Sequence, residues 1–251
     1  MENIKNHKQD WENLGELDPL WAVLSDNSKR FNNWSIEEFL GTGKKEVGDV
    51  LSVMNDLKLN PEKGEMLDFG CGVGRLARHW LSYFNRYIGC DISSTMLNRA
   101  KKINQDIIES VDFVENGEDL KIFPDKKFDF IYSGIVLQHI PSRDMIKSYI
   151  LEFNRILKEG GVLAFQLPTN IPWRFRFQPV RKIYSGLKFL GISDGFLYNQ
   201  LGLYPMKMNF IPEDIMRGFL EKVGFRIVDV KSDTYCGPSV KSRTYYCVKN
   251  N

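Results

Sequence analysis

Five short apolar runs between positions 65 and 167 alternate with segments whose apolar residues recur every three or four positions. The runs are Glu65–Phe69, Tyr87–Ile92, Val111–Val114, Phe128–Ser133 and Val162–Leu167. Short runs bounded by turn residues are what strands buried on both faces look like. Helical spacing between them places a crossover helix after each strand, which makes the pairing parallel and puts helices on both faces. Leu76, Ala77, Trp80 and Leu81 form such a stripe after the first run. Met96, Leu97, Ala100 and Ile103 form another, with Ser93 or Ser94 as its cap. The clearest helix carries Met145, Ile146, Tyr149, Ile150, Phe153, Ile156 and Leu157, and is expected to stop at Gly160-Gly161. A helix over Glu213–Lys222 leads into two closing strands, Phe225–Val230 and Thr244–Val248, with no helix between them. Those two are expected to pair antiparallel at one edge. The fold expected is α/β, a Rossmann-like doubly wound sheet of seven strands, mostly parallel with an antiparallel final strand.

Composition narrows the function classes. A chain of 251 residues, 43% hydrophobic and 26% charged, suits one embellished globular domain. A net charge of +2 gives no general attraction to nucleic acid or membrane. The start, Met1 to Asp10, is polar and lacks the apolar run of a secretory leader, and no stretch approaches the roughly 18 apolar residues of a membrane span. Cys71, Cys90, Cys236 and Cys247 form no paired spacing, as expected of free thiols in a reducing cytoplasm. Four regions are expected. Residues 1–43, with Trp11, Trp21, Phe31, Trp34 and Phe39 and a helix start at Asp18-Pro19, form a helical cap. Residues 44–168 form the core, opening with a helix from Lys44 to Lys58. Residues 169–210 are an insertion, and residues 211–251 complete the core.

The turn after the first strand carries the chemistry. In Leu67-Asp68-Phe69-Gly70-Cys71-Gly72-Val73-Gly74-Arg75 the glycines admit positive φ and close ligand approach, and a following helix would add unpaired N–H groups. Asp91, 21 positions beyond Gly70 at the end of the second strand, has the spacing of a carboxylate that grips a ribose diol. A dinucleotide site wants a third glycine where Arg75 stands, which counts against a nicotinamide-dependent oxidoreductase.

The pattern D-x-G-C-G-x-G-R, then Asp91, then F-P-D-x-x-F-D-x-I-Y-S-x-x-x-L-Q-H-I-P resembles the class I S-adenosylmethionine-dependent methyltransferases, most of all their small-molecule branch associated with sugar and cell-surface biosynthesis. The resemblance is strong over Glu65 to Pro168 and looser at Trp11 to Gly43. It implies S-adenosylmethionine as cofactor, with Asp68, Gly70, Cys71, Gly72 and Gly74 on its methionine half. It gives Asp91 to the ribose and Ile92 to the adenine. The family's acidic residue near the adenine amino group falls here on Asn116 or Gly117, with Glu118 as the chosen replacement, and Ser133 would line the methionine side through its backbone.

Methyl transfer is an in-line displacement that chiefly requires proximity. A hydroxyl acceptor also needs a base, for which His139, at a strand's C-terminal edge, is the candidate; it could equally hold the loop. No metal-ligand spacing occurs, and metal-independent transfer is expected. The insertion sets Arg174, Arg176, Arg181, Lys182, Lys188 and Lys207 against Asp194 alone. Its Trp173-Arg174-Phe175-Arg176-Phe177 run reads as a lid for an anionic acceptor such as a phosphorylated or nucleotide-linked sugar, as a shallow membrane contact, or as a half-buried strand with its arginines in water. Trp173, Arg174 and Arg176 are the acceptor candidates. No nucleic-acid partner and no stable membrane insertion are expected. An RNA methyltransferase and a non-catalytic nucleotide- or S-adenosylmethionine-binding protein remain the alternatives.

Overall fold

The structure is a computed structural model describing residues 4–250, with Arg174 and Phe175 described by their backbone only. Three helices come first: α1 (Ile4–Leu17), α2 (Pro19–Val23) and α3 (Ile36–Asp56). The core follows as β1 (Glu65–Phe69), α4 (Ala77–Trp80), β2 (Arg86–Asp91), α5 (Ser94–Ile103), β3 (Val111–Glu115), β4 (Phe128–Ser133), α6 (Arg143–Ile156) and β5 (Leu157–Asn170). Three short helices, α7 (Trp173–Arg176), α8 (Pro179–Phe189) and α9 (Asp194–Asn199), precede α10 (Glu213–Lys222), β6 (Phe225–Asp233) and β7 (Lys241–Lys249).

The seven strands run β3-β2-β1-β4-β5-β7-β6. The first five are mutually parallel, in registers such as Leu67 opposite Ile88, while β7 lies antiparallel between β5 and β6. Reversal of the chain between β1 and β4 puts a switch point at β1, where open α/β sheets hold ligands beyond their strand ends. Helix α6 lays Ile146, Tyr149, Ile150, Phe153 and Ile156 on one face of the sheet. Val47, Val50 and Met54 of α3, with Trp80 of α4, cover the other.

Local chemistry sets most boundaries. Ser35, Ser93 and Ser142 accept hydrogen bonds from the backbone N–H groups of Glu38, Met96 and Met145, satisfying the first turns of α3, α5 and α6. Three expectations are corrected. Helix α3 begins at Ile36, where Ser35 caps it, instead of Lys44, and so crosses the expected boundary at 43/44. Helix α6 ends at Ile156, because Leu157 already pairs with Phe128; Gly160, with φ of +73°, lies within a longer β5. The insertion is helical, with no strand over 173–177.

Helix α1 is fastened to the core above all through the carboxylate of Glu12. Glu12 of α1 accepts from the backbone N–H groups of Ser94 and Thr95, both at 2.9 Å, and from the Ser93 and Ser94 hydroxyls. It caps α5 from another element. Burial works against its charge, but the bonds from Thr95, Ser93 and Ser94 outweigh that and hold its pKa at about 2. Asn13 donates to Asp194 at 2.7 Å and Tyr198 to buried Asp18 at 2.7 Å, so the N-terminal helices and the insertion brace each other.

Candidate active site

A cavity of about 810 Å³ lies beyond the carboxyl ends of β1, β2 and β4. That volume sits in the upper part of the range for small-molecule sites, with room for more than one ligand. Its floor is the turn after β1. Gly70, Gly72 and Gly74 all have positive φ (+76°, +54° and +72°), and such backbone cannot be continuous helix. The expected helix is consequently reduced to the single turn of α4, with no side-chain cap, and the helix-dipole contribution expected at the glycines is absent. Other groups use the turn's N–H donors: Gly70 and Cys71 bond the Cys90 carbonyl, and Gly72 bonds Asp91 Oδ2 at 2.9 Å.

The site residues expected from the sequence divide. Asp68, Gly70, Cys71, Gly72, Asp91, Ile92, Asn116 and His139 line the cavity. Gly74 does not; a Cβ there would meet the Phe113 ring at 2.8 Å and Asn104 Nδ2 at 2.7 Å, so it serves packing. Ser133 is buried beneath the turn, its hydroxyl donating to the Phe69 carbonyl, and neighbouring Gly134 reaches the cavity instead. Gly117 and Glu118 are exposed and away from the wall, leaving Asn116 as the inward residue of that loop. Trp173 is 74% exposed. Arg176 bonds the Ile171 carbonyl and Asn170 and covers the Phe210 ring. Neither lines the cavity, and the Arg174 side chain lies outside the described residues. The insertion reaches the cavity through other residues, Gln178 to Arg181, Tyr204 and Met206 to Met208.

Asp91 lines the cavity and accepts from Gly72 N–H on Oδ2 and Ser93 N–H on Oδ1, which leaves the carboxylate capacity to accept further hydrogen bonds. Burial raises its pKa to about 6, offset in part by those N–H bonds. Burial also raises Asp68 to about 7, against a 2.7 Å bond from Tyr87. Asn116 donates through Nδ2 to the Gly117 carbonyl, which leaves its side-chain oxygen as an acceptor.

A polar group unforeseen in the sequence underlies this floor. Glu46 of α3 pairs with Arg75 at 2.6 Å and accepts from Tyr132 at 2.8 Å, while Arg75 also donates to Thr42. The signal was available in the spacing: Gly43, Glu46, Val47, Val50 and Met54 share one buried stripe, so a carboxylate sits on a core-facing helix surface.

The roof holds the cations. Burial lowers the pKa of both Arg181 and Lys207, and the nearby Arg181 charge lowers Lys207 further. His139 Nδ1 bonds the Lys207 carbonyl at 2.5 Å, so it carries the proton and the lone pair lies on Nε2, next to Gln138. Burial pushes its pKa down to about 4, and likewise that of His7, which His139 and Lys207 depress further. Both imidazoles are neutral at pH 7. Among the described residues, no group of three His, Cys, Asp or Glu side chains is placed to hold a metal ion, and no helix is long and apolar enough to cross a membrane.

Comparison with known proteins agrees with this architecture. A crystal structure of magnesium protoporphyrin IX methyltransferase from Synechocystis PCC 6803 with bound SAH superposes with a TM-score of 0.64, covering 99% of this chain and 100% of that one at 16% identity. An S-adenosylmethionine-dependent methyltransferase from Clostridium acetobutylicum ATCC 824 gives 0.60, covering 83% and 92% at 18% identity. At these identities the likeness is one of fold, a seven-stranded Rossmann-like sheet with an antiparallel β7. Residues 67–165 match the family model described as a methyltransferase domain. The chain is 33% identical over 123 residues to a malonyl-[acyl-carrier protein] O-methyltransferase from Hamiltonella defensa, covering 49% of this chain and 43% of that one. It is 29% identical over 149 residues to a trans-aconitate 2-methyltransferase from Afipia carboxidovorans, covering 55% and 52%. The chain thus spans about half the length of these curated relatives.

Proposed function

We propose that this chain is an enzyme that transfers a methyl group from S-adenosylmethionine to a small molecule bearing a carboxylate or phosphate. The observation that carries the reading is a single cavity with a glycine floor flanked by Asp91 and Asn116 and a roof containing Arg181 and Lys207. The donor set fits the cofactor. Two carboxylate lone pairs on Asp91 suit a ribose diol, the Asn116 oxygen suits an adenine amino group, and Asp68 suits an ammonium. When bound, the cofactor supplies a sulfonium methyl open to displacement.

The protein's own contribution is to orient the acceptor and exclude water. Arg181 and Lys207 are half-buried on the cavity wall, where burial works against the charge of each and Arg181 also disfavours that of Lys207, so an anion bound beside them would offset that cost. With its pKa held at about 4, the neutral His139 ring is too weak a base to take a hydroxyl proton efficiently, and its Nε2 already faces the Gln138 amide at 3.2 Å. That favours an acceptor whose nucleophile has no proton to lose, such as a carboxylate oxygen, over the hydroxyl of a phosphorylated or nucleotide-linked sugar. The malonyl and trans-aconitate named for the relatives both carry carboxylates.

Calorimetry tests the cofactor half. The chain is expected to bind S-adenosylmethionine and not NAD, and Asp91→Ala to weaken binding by about 1.5–3 kcal/mol, the range for hydrogen bonds to a charged group. Because the Asp91 carboxyl titrates near 6, parent affinity falls as pH drops through that value, whereas Asp91→Ala loses that component. Unchanged affinity in a folded Asp91→Ala variant rejects the ribose assignment.

The acceptor half is tested by turnover with a panel of small di- and tricarboxylates and sugar phosphates. With the best acceptor, Arg181→Gln should raise KM about tenfold at nearly constant kcat, and the parent's KM should climb with ionic strength more steeply than the variant's. Equal KM values and equal salt responses would mean that the acceptor is neutral.

A further inference from the structure

Helix α8 presents two unlike faces. Val180, Arg181 and Tyr184 turn toward the protein, the first two on the cavity wall. Lys182, Ile183, Gly186 and Leu190 follow the i, i+3, i+4 spacing along the opposite face, in water. Phe189 and Leu190 at its end are 90% and 74% exposed. Before the helix, the exposed Trp173 and Phe177 rings meet edge to face, 6.2 Å between centroids, and Lys182 Nζ sits 5.7 Å from the Phe177 ring. An apolar strip with a lysine on it therefore runs from α7 along α8. Scattered exposed apolar side chains are ordinary on soluble proteins, but a strip of aromatic and aliphatic groups on consecutive elements is not.

We propose that this strip docks on the surface of an anionic lipid bilayer. Charge selects that occupant. Residues 169–210 carry a balance of +5 in a chain of net +2, so the rest of the molecule is negative; of their cations Lys182 lies on the strip itself, while Arg181 and Lys207 line the cavity and Lys188 pairs with Asp194. A second copy of the chain would bring the same positive segment against itself, whereas acidic headgroups complement it. Aromatic and aliphatic side chains beside lysine are the chemistry of shallow interfacial contact, in which apolar groups enter the headgroup region while the cation stays among phosphates. Since the other face of α8 is cavity wall, docking brings the cavity's roof to the bilayer and lets an acceptor carried in the membrane approach without crossing bulk water. The docking stands apart from the methyl-transfer reading, because it is read without turnover.

The test is flotation of the whole chain with vesicles of phosphatidylcholine alone and of phosphatidylcholine with 30 mol% phosphatidylglycerol as the chosen probe. Binding is expected to the anionic vesicles, to weaken as salt is raised, and to be at least about tenfold weaker on neutral ones. Phe189→Glu combined with Leu190→Glu should lower anionic-vesicle binding by about tenfold or more, and Lys182→Glu by about fivefold or more. These positions are exposed, so unchanged circular dichroism and S-adenosylmethionine affinity are expected alongside. No flotation with anionic vesicles at low salt, equal flotation with both compositions, or a Phe189→Glu/Leu190→Glu variant that floats like the parent each overturns the proposal. So does a concentration-dependent dimer, abolished by the same variant, in a protein that ignores vesicles.

Discussion

Arg75→Met is expected to destabilise the protein by about 3–5 kcal/mol, the range for leaving one member of a buried ion pair uncompensated. The side chains of Arg75 and Glu46 are only 6% and 8% exposed, so water cannot replace the lost partner. Tyr132 would remain as a single neutral donor to a carboxylate packed against Val47 and Val50. Urea denaturation at pH 7 reads the loss directly. The companion variant Arg75→Met/Glu46→Leu should recover most of it, because removing both charges removes the desolvation cost along with the attraction. If Arg75→Met alone lies within 1 kcal/mol of the parent, the pair does not hold α3 to the core in the way its geometry indicates.

Gly72→Val should abolish measurable S-adenosylmethionine binding, a loss beyond about a hundredfold. Two costs act together. A β-branched residue at φ of +54° is a genuine conformational outlier, and a Cβ built there comes within 2.5 Å of Val23 Cγ2 in the roof. The turn must change shape, carrying with it the N–H that bonds Asp91, or the end of α2 must lift. Gly117→Ala is the contrasting control, since its added Cβ meets nothing within 4 Å. Calorimetry on both variants decides the matter: near-parental affinity in Gly72→Val would falsify the placement of the cofactor on this turn.

The parts of the molecule legible in its sequence are those where a local pattern and its tertiary partner agree. Strands β1 and β4 and helix α10 have the ends that their apolar runs and turn residues mark, because the strands are buried along their length and the helix buries Met216 and Leu220 on one face before Gly224. The site was legible where a backbone need forces a residue type, as at Gly70 and Gly72, or where a strand end fixes a direction, as at Asp91. It was illegible where partners lie far apart: nothing local to Glu46 announces Arg75, 29 positions on, or Tyr132, 86 positions on. The Trp173–Phe177 alternation misled because five residues are too few to separate a strand from a helical turn, and no neighbouring strand is present to pair it. The basic residues that reach the cavity, Arg181 and Lys207, stand outside that run and have no pattern to single them out.

Helix α1 has a consequence for how the chain is made. Glu12 needs the first turn of α5, 82 positions later at Ser94, and Asn13 needs Asp194, 181 positions later. Helix α1 leaves the ribosome before either anchor, and at a synthesis rate of about 5–20 residues per second the two follow roughly 4–16 s and 9–36 s behind it. The roof over the site is accordingly assembled with α1, made before both of its anchors, settling only after them. Until then its apolar face, with Leu14 and the half-buried Trp11, has no core to cover it, and this interval is when a nascent chain of this kind most needs a chaperone.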